Sequence, residues 1–437
     1  MIAKISKIWE TDHIRKKILF TLGIIAVYKL LATIPVPWVN VAMLEAFTTT
    51  LHSNTWLAFF GSLMGGGLDS FSIILMGLAP YINATIIIQL LTVIVPSLES
   101  LKKEWEQWQK KINNYTRYLT VPLALAQSYG MILLLNTLVW GTNGAPILDT
   151  SNFWGVVFPA MLVITAGSMI LLWLGDLITE SGVGNGTSII IFAGVLAGMP
   201  RVILGYLTAQ NYGLLLLLTI ATLVVIYIII RFTEWYRKVP LIYTRTGREE
   251  RSHFPIRINQ AGMVPIIFAV SLVTFPSIIG QIFANRGSGT MATIGEWLVQ
   301  NLSMNNPGWI YIIVYFLLVL AFSFFYVSIT FNTTEVAETI QKRGGYIPGV
   351  RPWKETADYL QKTSDHLNLF GGSFLALIAV FPYIITKLNN EFSFFPTSGH
   401  IDFLISGSGL IIVVGVILDI IRRIDTDMKS YDYKKFY

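Results

Sequence analysis

The chain has 437 residues, no cysteine, a formal net charge of +6, and 13% charged against 54% hydrophobic residues, with a mean hydropathy of +0.61. That balance excludes an ordinary soluble domain, and the missing thiols exclude disulfides, zinc-thiolate sites and thiol catalysis. A pI of 9.2 would suit a nucleic-acid binder, but the cations flank apolar runs, where they set orientation and attract anionic lipid headgroups or acidic partners.

Ten runs of 17 to 23 mostly apolar residues follow one another, near 18–34, 73–95, 119–139, 154–175, 187–205, 213–232, 262–284, 309–331, 367–386 and 402–421. Each is long enough for a hydrocarbon layer of about 30 Å, and an even count places both termini on one side. The basic residues are sorted between alternate gaps. The N-terminal tail holds 5, the gap around 96–118 holds 5, that around 231–261 holds 7, that around 332–366 holds 5 and the C-terminal tail 5. On the opposite side stand Arg201, near the end of the fifth run, Arg286 and Lys387, and Lys29 lies inside the first run. By the positive-inside rule the rich side, with both termini, is cytoplasmic. Arg15, Lys16 and Lys17 precede the first run as they would in a signal peptide. Ile34-Pro35-Val36-Pro37 follows it in place of a small-residue cleavage site, so the run is read as a retained span.

Ahead of the second run stand Gly61, Gly65, Gly66, Gly67 and Asp69. Glycine-interrupted backbone at membrane depth needs protein or water around it, so this stretch is either a short half-helix lining a cavity or a flexible extracytoplasmic loop. The gap after the fourth run contains Asp176, Glu180, Gly182, Gly184 and Gly186 but no Lys or Arg, and its neighbours must orient it. The gaps around 232–261 and 332–366 exceed a simple turn. They are candidate docking surfaces or solvated basic loops that anchor orientation.

His13, His52, His253, His366 and His400 all fall outside the apolar runs, leaving no histidine as a metal ligand or proton shuttle at mid-membrane. Lys29 lies near the outer end of its run, within snorkelling reach of the interface. An ion-coupled transporter keeps ionisable groups near the midplane, so that class is weakened. No phosphate-binding glycine loop, His-Glu-x-x-His or Gly-x-Ser-x-Gly occurs. Asn83, Thr85, Gln89, Gln127 and Asn259 lie at or near span interiors, where such groups usually join helices by hydrogen bonds. From these features alone, a secondary transporter with broken helices and a polytopic membrane enzyme remain competitors. Five spans plus five would suit an inverted two-half architecture, although no repeat is evident as sequence identity.

Residues 178–200, ITESGVGNGTSIIIFAGVLAGMP, closely resemble the signature of the SecY/Sec61 protein-conducting channels, of the bacterial SecY type. Further blocks agree in order: IPVPW at 34–38, MGLAPYINATIIIQLLT at 76–92, INNYTRYLT at 112–120, INQAGMVPIIFA at 258–269 and GGYIPGVRPWKETADYL at 344–360. The resemblance implies an all-α polytopic membrane protein whose ten transmembrane helices form two pseudo-symmetric five-helix halves around a central pore. The halves fall at 1–206 and 207–437. It further implies that the chain is no enzyme, binds no cofactor or metal, and passes unfolded polypeptides across the bacterial plasma membrane while releasing apolar segments sideways. The partners implied are SecE, SecG, the SecA motor ATPase, the ribosome, signal-sequence-bearing preproteins and membrane lipids, with no sequence-specific nucleic acid.

By the same resemblance, the pore ring falls on Leu78, Ile82, Thr187, Ile191, Ile267 and Ile412. Leu78 with Ile82, and Thr187 with Ile191, are four apart and share a helix face. Thr187 departs from the aliphatic habit, its hydroxyl being expected to bond a carbonyl one turn back. The plug, about 60–72, includes Met64, Gly65, Gly66, Gly67 and Leu68, and the lateral gate falls on Gln89, Gln127 and Asn259. Partner docking falls on Arg245, Arg248 and Arg351, in the cytoplasmic loops 232–261 and 332–366. Trp353, Thr333, Trp105 and Trp108 depart from the family's usual glycines and proline and imply partner surfaces adjusted to a divergent SecA.

Overall fold

The computed structural model describes residues 11–40, 43, 70–94, 105–143, 146–208, 210, 212–245, 248–285, 289–302, 308–392 and 407–435. These are mostly helical: α1 (Asp12–Thr33), α2 (Ala79–Ile94), α3 (Trp105–Asn143), α4 (Phe158–Ser181), α5 (Gly186–Thr208) and α6 (Tyr212–Glu234) precede a hairpin of β1 (Tyr236–Arg245) and β2 (Arg248–Arg257). There follow α7 (Val264–Asn285), α8 (Thr290–Leu302), α9 (Trp309–Thr330), α10 (Thr333–Lys342), β3 (Gly345–Tyr346), α11 (Lys354–Phe392) and α12 (Gly407–Lys435). The chain packs as two units. One comprises Met1–Tyr212, Phe275–Asn306 and Val416–Tyr437, the other Gly213–Thr274 and Pro307–Gly415.

Six helical stretches among the described residues are long and apolar enough to cross a membrane: Lys111–Asn136, Phe153–Ser181, Gly186–Thr208, Tyr212–Glu234, Trp309–Lys342 and Lys354–Leu388. The six match six of the ten apolar runs. In α6, with a mean hydropathy of 2.9, only 17% of the span is buried, and Leu216, Ile220, Leu223 and Tyr227 stand exposed along it. Such a surface marks contact with hydrocarbon or with an apolar partner. The other four runs also contain helix, with shorter or interrupted apolar lengths. Lys16, Lys17 and Lys29 punctuate α1. The apolar parts of α2 and α7 are Ala79–Thr92 and Val264–Val273, and residues 402–406 of the last run lie outside the described part of α12.

In the first unit the expected second span does not begin as a helix. Residues 73–78 are turned, and α2 starts only at Ala79. The turn is held because its amides find partners: Val36 N–H donates to the Phe71 carbonyl at 2.9 Å and Ile73 N–H to the Ile34 carbonyl at 3.0 Å. Phe71, Leu75 and Met76 are buried with Met131, Ile132 and Leu135 of α3, Ile164 of α4, and Ile147 and Leu148. Asn136 fixes that last pair, donating to the Leu148 carbonyl at 2.8 Å and accepting from its N–H at 3.1 Å.

Ion pairs join segments far apart in sequence. Lys17 bonds Asp427 at 2.7 Å, joining the start of α1 to the far end of α12. Arg117 of α3 bonds Asp176, near the end of α4, at 2.8 Å, so a cation reaches the helix end that leads into the loop without cations. Thr21 of α1 completes the anchorage of that loop, accepting from the Val183 N–H at 3.2 Å. In the first turn of α1, Asp12 is held below the usual carboxylate range by the hydrogen bond and charge of Lys16, with Arg15 adding to the effect.

The second unit corrects the expectation of a wholly α chain. The two long basic gaps, weighed above as docking surfaces or loose basic loops, form a three-stranded antiparallel sheet in the order β2-β1-β3. Ile242 and Tyr243 pair with Tyr346 and Gly345, tying residues 236–257 to residues 333–360. Successive strand residues point to opposite faces. Val239 and Leu241 of β1 and Ile256 of β2 therefore reach a core with Ile340, Ile347 and Leu360, while Tyr243 and Phe254 pack at its margin. Lys238, Arg251 and Arg257 remain exposed. The α11 helix carries Leu360 near its N-terminal end and runs 39 residues, about 58 Å at a rise of about 1.5 Å per residue.

Leu360 is fully buried in this core, so Leu360→Ala is expected to destabilise the sheet module by roughly 2–5 kcal/mol. Limited trypsin digestion of the detergent-purified protein should then cut the hairpin faster than in the parent chain. An unchanged cutting rate would contradict the packing described.

Candidate functional site

Four of the six expected ring positions lie in the first unit, at the beginnings of α2 and α5. Leu78 is 1% exposed and is the last residue before α2, where Gly77, at φ +53°, redirects the chain. Ile82 N–H donates to the Leu78 carbonyl at 3.0 Å, so the two side chains do share a face, although Leu78 sits at the cap rather than inside the helix. Pro80 follows in the first turn, where a missing N–H costs no helical bond.

At α5 the cap is Asn185. Its carbonyl accepts from Ile189 N–H at 3.0 Å, and its side-chain oxygen accepts from the N–H groups of Thr187 and Ser188 at 3.1 and 3.3 Å. The Thr187 hydroxyl donates to the same oxygen at 2.6 Å. The expected bond to a carbonyl one turn back is therefore replaced by a side-chain bond, because Thr187 occupies the first turn and no helical carbonyl precedes it. Ile191, one turn on, is buried. The remaining two ring positions belong to the second unit, where Ile267 of α7 is half-buried and Ile412 of α12 fully buried.

Gln89 and Gln127 lie on α2 and α3, which pack together in the first unit. Each has a buried side-chain oxygen with no hydrogen-bond partner among the described residues. Asn259 differs. It is 8% exposed, and its side-chain oxygen accepts from Gly262 N–H at 2.8 Å, closing the turn that leads into α7. Gln260 beside it accepts from the Ser364 hydroxyl of α11 at 3.0 Å.

Of the docking residues, Arg351 has 86% of its side chain exposed, 3.9 Å from the Glu355 carboxylate, at a corner where Trp353 adopts φ +81°. Arg245 and Arg248 face each other as the terminal pair of the hairpin register, with side chains outside the described residues. Met64, Gly65, Gly66, Gly67 and Leu68 also lie outside the described residues, whereas the anchored turn beginning at residue 70 is the C-terminal attachment of that segment. Sequence reasoning missed the sheet that presents the hairpin. Its signal was the alternation Val239, Leu241, Tyr243 opposite Phe254 and Ile256.

This arrangement of helices defines the class: it is the fold of a protein-conducting channel. A solved protein-conducting channel aligns with a TM-score of 0.64 at 16% identity, covering 95% of this chain and 92% of that one. A structure in which the plug domain of SecY stabilises the closed state and maintains a membrane seal aligns at 0.67, with 18% identity and the same coverage. The Sec61 chain of a canine ribosome-channel complex aligns at 0.61 with 16% identity, over 95% of this chain and 92% of that one.

The SecY family profile matches residues 72–421. Protein translocase subunit SecY of Corynebacterium glutamicum is 35% identical over 446 residues, 99% of each chain. That of Halalkalibacterium halodurans is 36% identical over 453 residues and the full length of both. The chain belongs to the SecY family.

Asn185→Ala removes an acceptor that serves two amides and one hydroxyl at the start of α5, and should cost about 0.5–2 kcal/mol. Thr187→Val, which loses one bond from the same cluster, should cost less. Thermal unfolding of the purified complex checks the order, and a larger loss for Thr187→Val would refute the capping role of Asn185.

Proposed function

We propose that this chain is the central channel subunit of the Sec preprotein translocase, passing unfolded polypeptides across the plasma membrane and releasing apolar segments laterally into the bilayer. The observation that carries this reading is full-length kinship to protein translocase subunit SecY at about one third identity. On this reading ten spans form two pseudo-symmetric halves, 1–206 and 207–437, around a central pore, with both termini cytoplasmic. The sorting of Lys17 with Asp427 and of Arg117 with Asp176 supports that orientation.

A resting channel must stop ions, since each charge crossing 100 mV dissipates about 2.3 kcal/mol. It must also admit side chains of any shape, so specific hydrogen-bonding groups would hinder it. A ring of flexible aliphatic side chains meets both demands, by dewetting when narrow and moulding when occupied. Leu78, Ile82, Ile191, Ile267 and Ile412 suit that task, and Thr187, its hydroxyl occupied by Asn185, presents a methyl without a free donor.

The plug, Met64 to Leu68, is proposed to cover the outer funnel. Gln89, Gln127 and Asn259 are proposed as the gate that exchanges protein contacts for those of a signal sequence. Arg245, Arg248 and Arg351 are proposed to dock SecA and the ribosome, as supported by the ribosome-bound state of the Sec61 and Ssh1 relatives. SecE and SecG are the proposed membrane subunits. No reactive side-chain cluster is assigned, and the driving energy is supplied by the docked motor, the ribosome or the membrane potential.

Replacing Ile82 and Ile191 together by Ser is expected to raise ion leak several-fold in vesicles containing the reconstituted complex, with part of the polypeptide transport retained. Leak at the parent level would remove these residues from the ring. Arg351→Glu is expected to lower SecA-driven export more than it lowers assembly with SecE, measured by export assay and by co-purification. Equal loss of both would assign Arg351 a folding role.

A further inference from the structure

Helices α2 and α7 begin in the same way, down to individual peptide groups. Ile73, Gly77, Pro80 and Ile82 recur as Ile258, Gly262, Pro265 and Ile267, at a constant offset of 185 residues. Gly77 and Gly262 have φ of +53° and +64°, and each helix starts two residues later, at Ala79 and Val264.

Four residues before each glycine, one peptide unit is pinned from both sides. Ile73 N–H donates at 3.0 Å to the carbonyl of Ile34, the residue just after α1, and Ile258 N–H donates at 3.1 Å to the carbonyl of Trp235, the residue just after α6. The Ile73 carbonyl lies so close to Gly167 of α4 that a Cβ there would collide with it, and the Ile258 carbonyl lies likewise against Gly371 of α11. The obstructing atoms are backbone, which no rotamer change can move aside. Only a residue without Cβ allows this approach. Each pin lies wholly within its own unit.

We infer that the chain carries one pivot twice, and that Gly167 and Gly371 are positioning residues which set where α2 and α7 leave their pins, and so where Ile82 and Ile267 stand. Left-handed glycine supplies the bend, the preceding helix end holds the amide, and the glycine of α4 or α11 holds the carbonyl. This inference deepens the channel reading and rests on it for the roles of Ile82 and Ile267, while the pins themselves are geometric.

The absence of cysteine permits single-cysteine reporters, Ile82→Cys and Ile267→Cys, in the full complex in its membrane, followed by the rate of thiol modification. Gly167→Ala is expected to change the rate at Ile82→Cys by about fivefold, the effect of roughly 1 kcal/mol, and to leave Ile267→Cys near its parent value. Gly371→Ala should do the reverse. Gly205→Ala, whose Cβ meets nothing within 4 Å, should alter neither reporter. Equal changes at both reporters, or no change at the reporter of the same unit in a chain that accumulates normally, would overturn the inference.

If the alanine chains fail to accumulate, Gly262 gives a second measurement, because a Cβ there also meets nothing within 4 Å and only its backbone conformation is at stake. Asn, which tolerates the left-handed region, should keep the Ile267→Cys rate, and Val should change it. Equal rates for Asn and Val would refute the pivot. The reporters read helix position whether or not polypeptide is conducted. An unchanged leak in the Ile82 and Ile191 serine variant would therefore remove these residues from the ring without deciding this test.

Discussion

A peptide group in hydrocarbon has no water to bond to, and that single constraint decides which parts of this chain lie at membrane depth and in what form. Helices satisfy it internally, as in α4, α5, α6 and α9. The turned residues 73–78 satisfy it by being wrapped, with Phe71, Leu75 and Met76 packed against α3 and α4 and amide bonds reaching back across the Pro35–Ser72 bridge. This non-helical stretch thus lies where protein surrounds it. The same requirement explains why the helix-starting prolines, Pro80 and Pro265, occupy first turns, where an absent donor leaves nothing unpaired.

Charge obeys a parallel logic. The side chains that touch lipid are apolar because exposure there rewards hydrocarbon. The cations gather where water and headgroups begin, and there meet carboxylates from the same compartment. The loop between α4 and α5 shows how local deficits are repaired. It has no cation of its own, yet Asp176, near the end of the α4 helix that leads into it, finds Arg117 at 2.8 Å, and the backbone at Val183 is tied to Thr21 of α1.

Much of this was legible in the sequence, since run length and hydropathy report burial in lipid directly, and six of the ten runs emerge as long apolar helices. Hydropathy does not report conformation, however. The apolar residues 73–78 read as a span but turn, because Gly77 takes a left-handed conformation and Ile73 is tied to Ile34. The hairpin was hidden for another reason. Its inward alternation is diluted by Lys238, Arg251, Arg257, Pro240 and Pro255 on the outer face, and its third strand arrives from far along the chain at Tyr346. Thr187 was misjudged because a helix boundary must be placed to within a residue before its hydrogen-bond partner can be named. The internal repeat escaped because the identical residues are few, while most of the likeness lies in backbone bonds.

One consequence follows from the length of α11. A single unbroken helix begins beside the exposed Arg351 corner, contributes Leu360 to the sheet core, and carries Gly371 against the Ile258 carbonyl. From Lys354 to Gly371 is about 26 Å of stiff rod at a rise of about 1.5 Å per residue. Leverage applied by anything that grips the corner is therefore delivered, with little bending, to the backbone from which α7 departs.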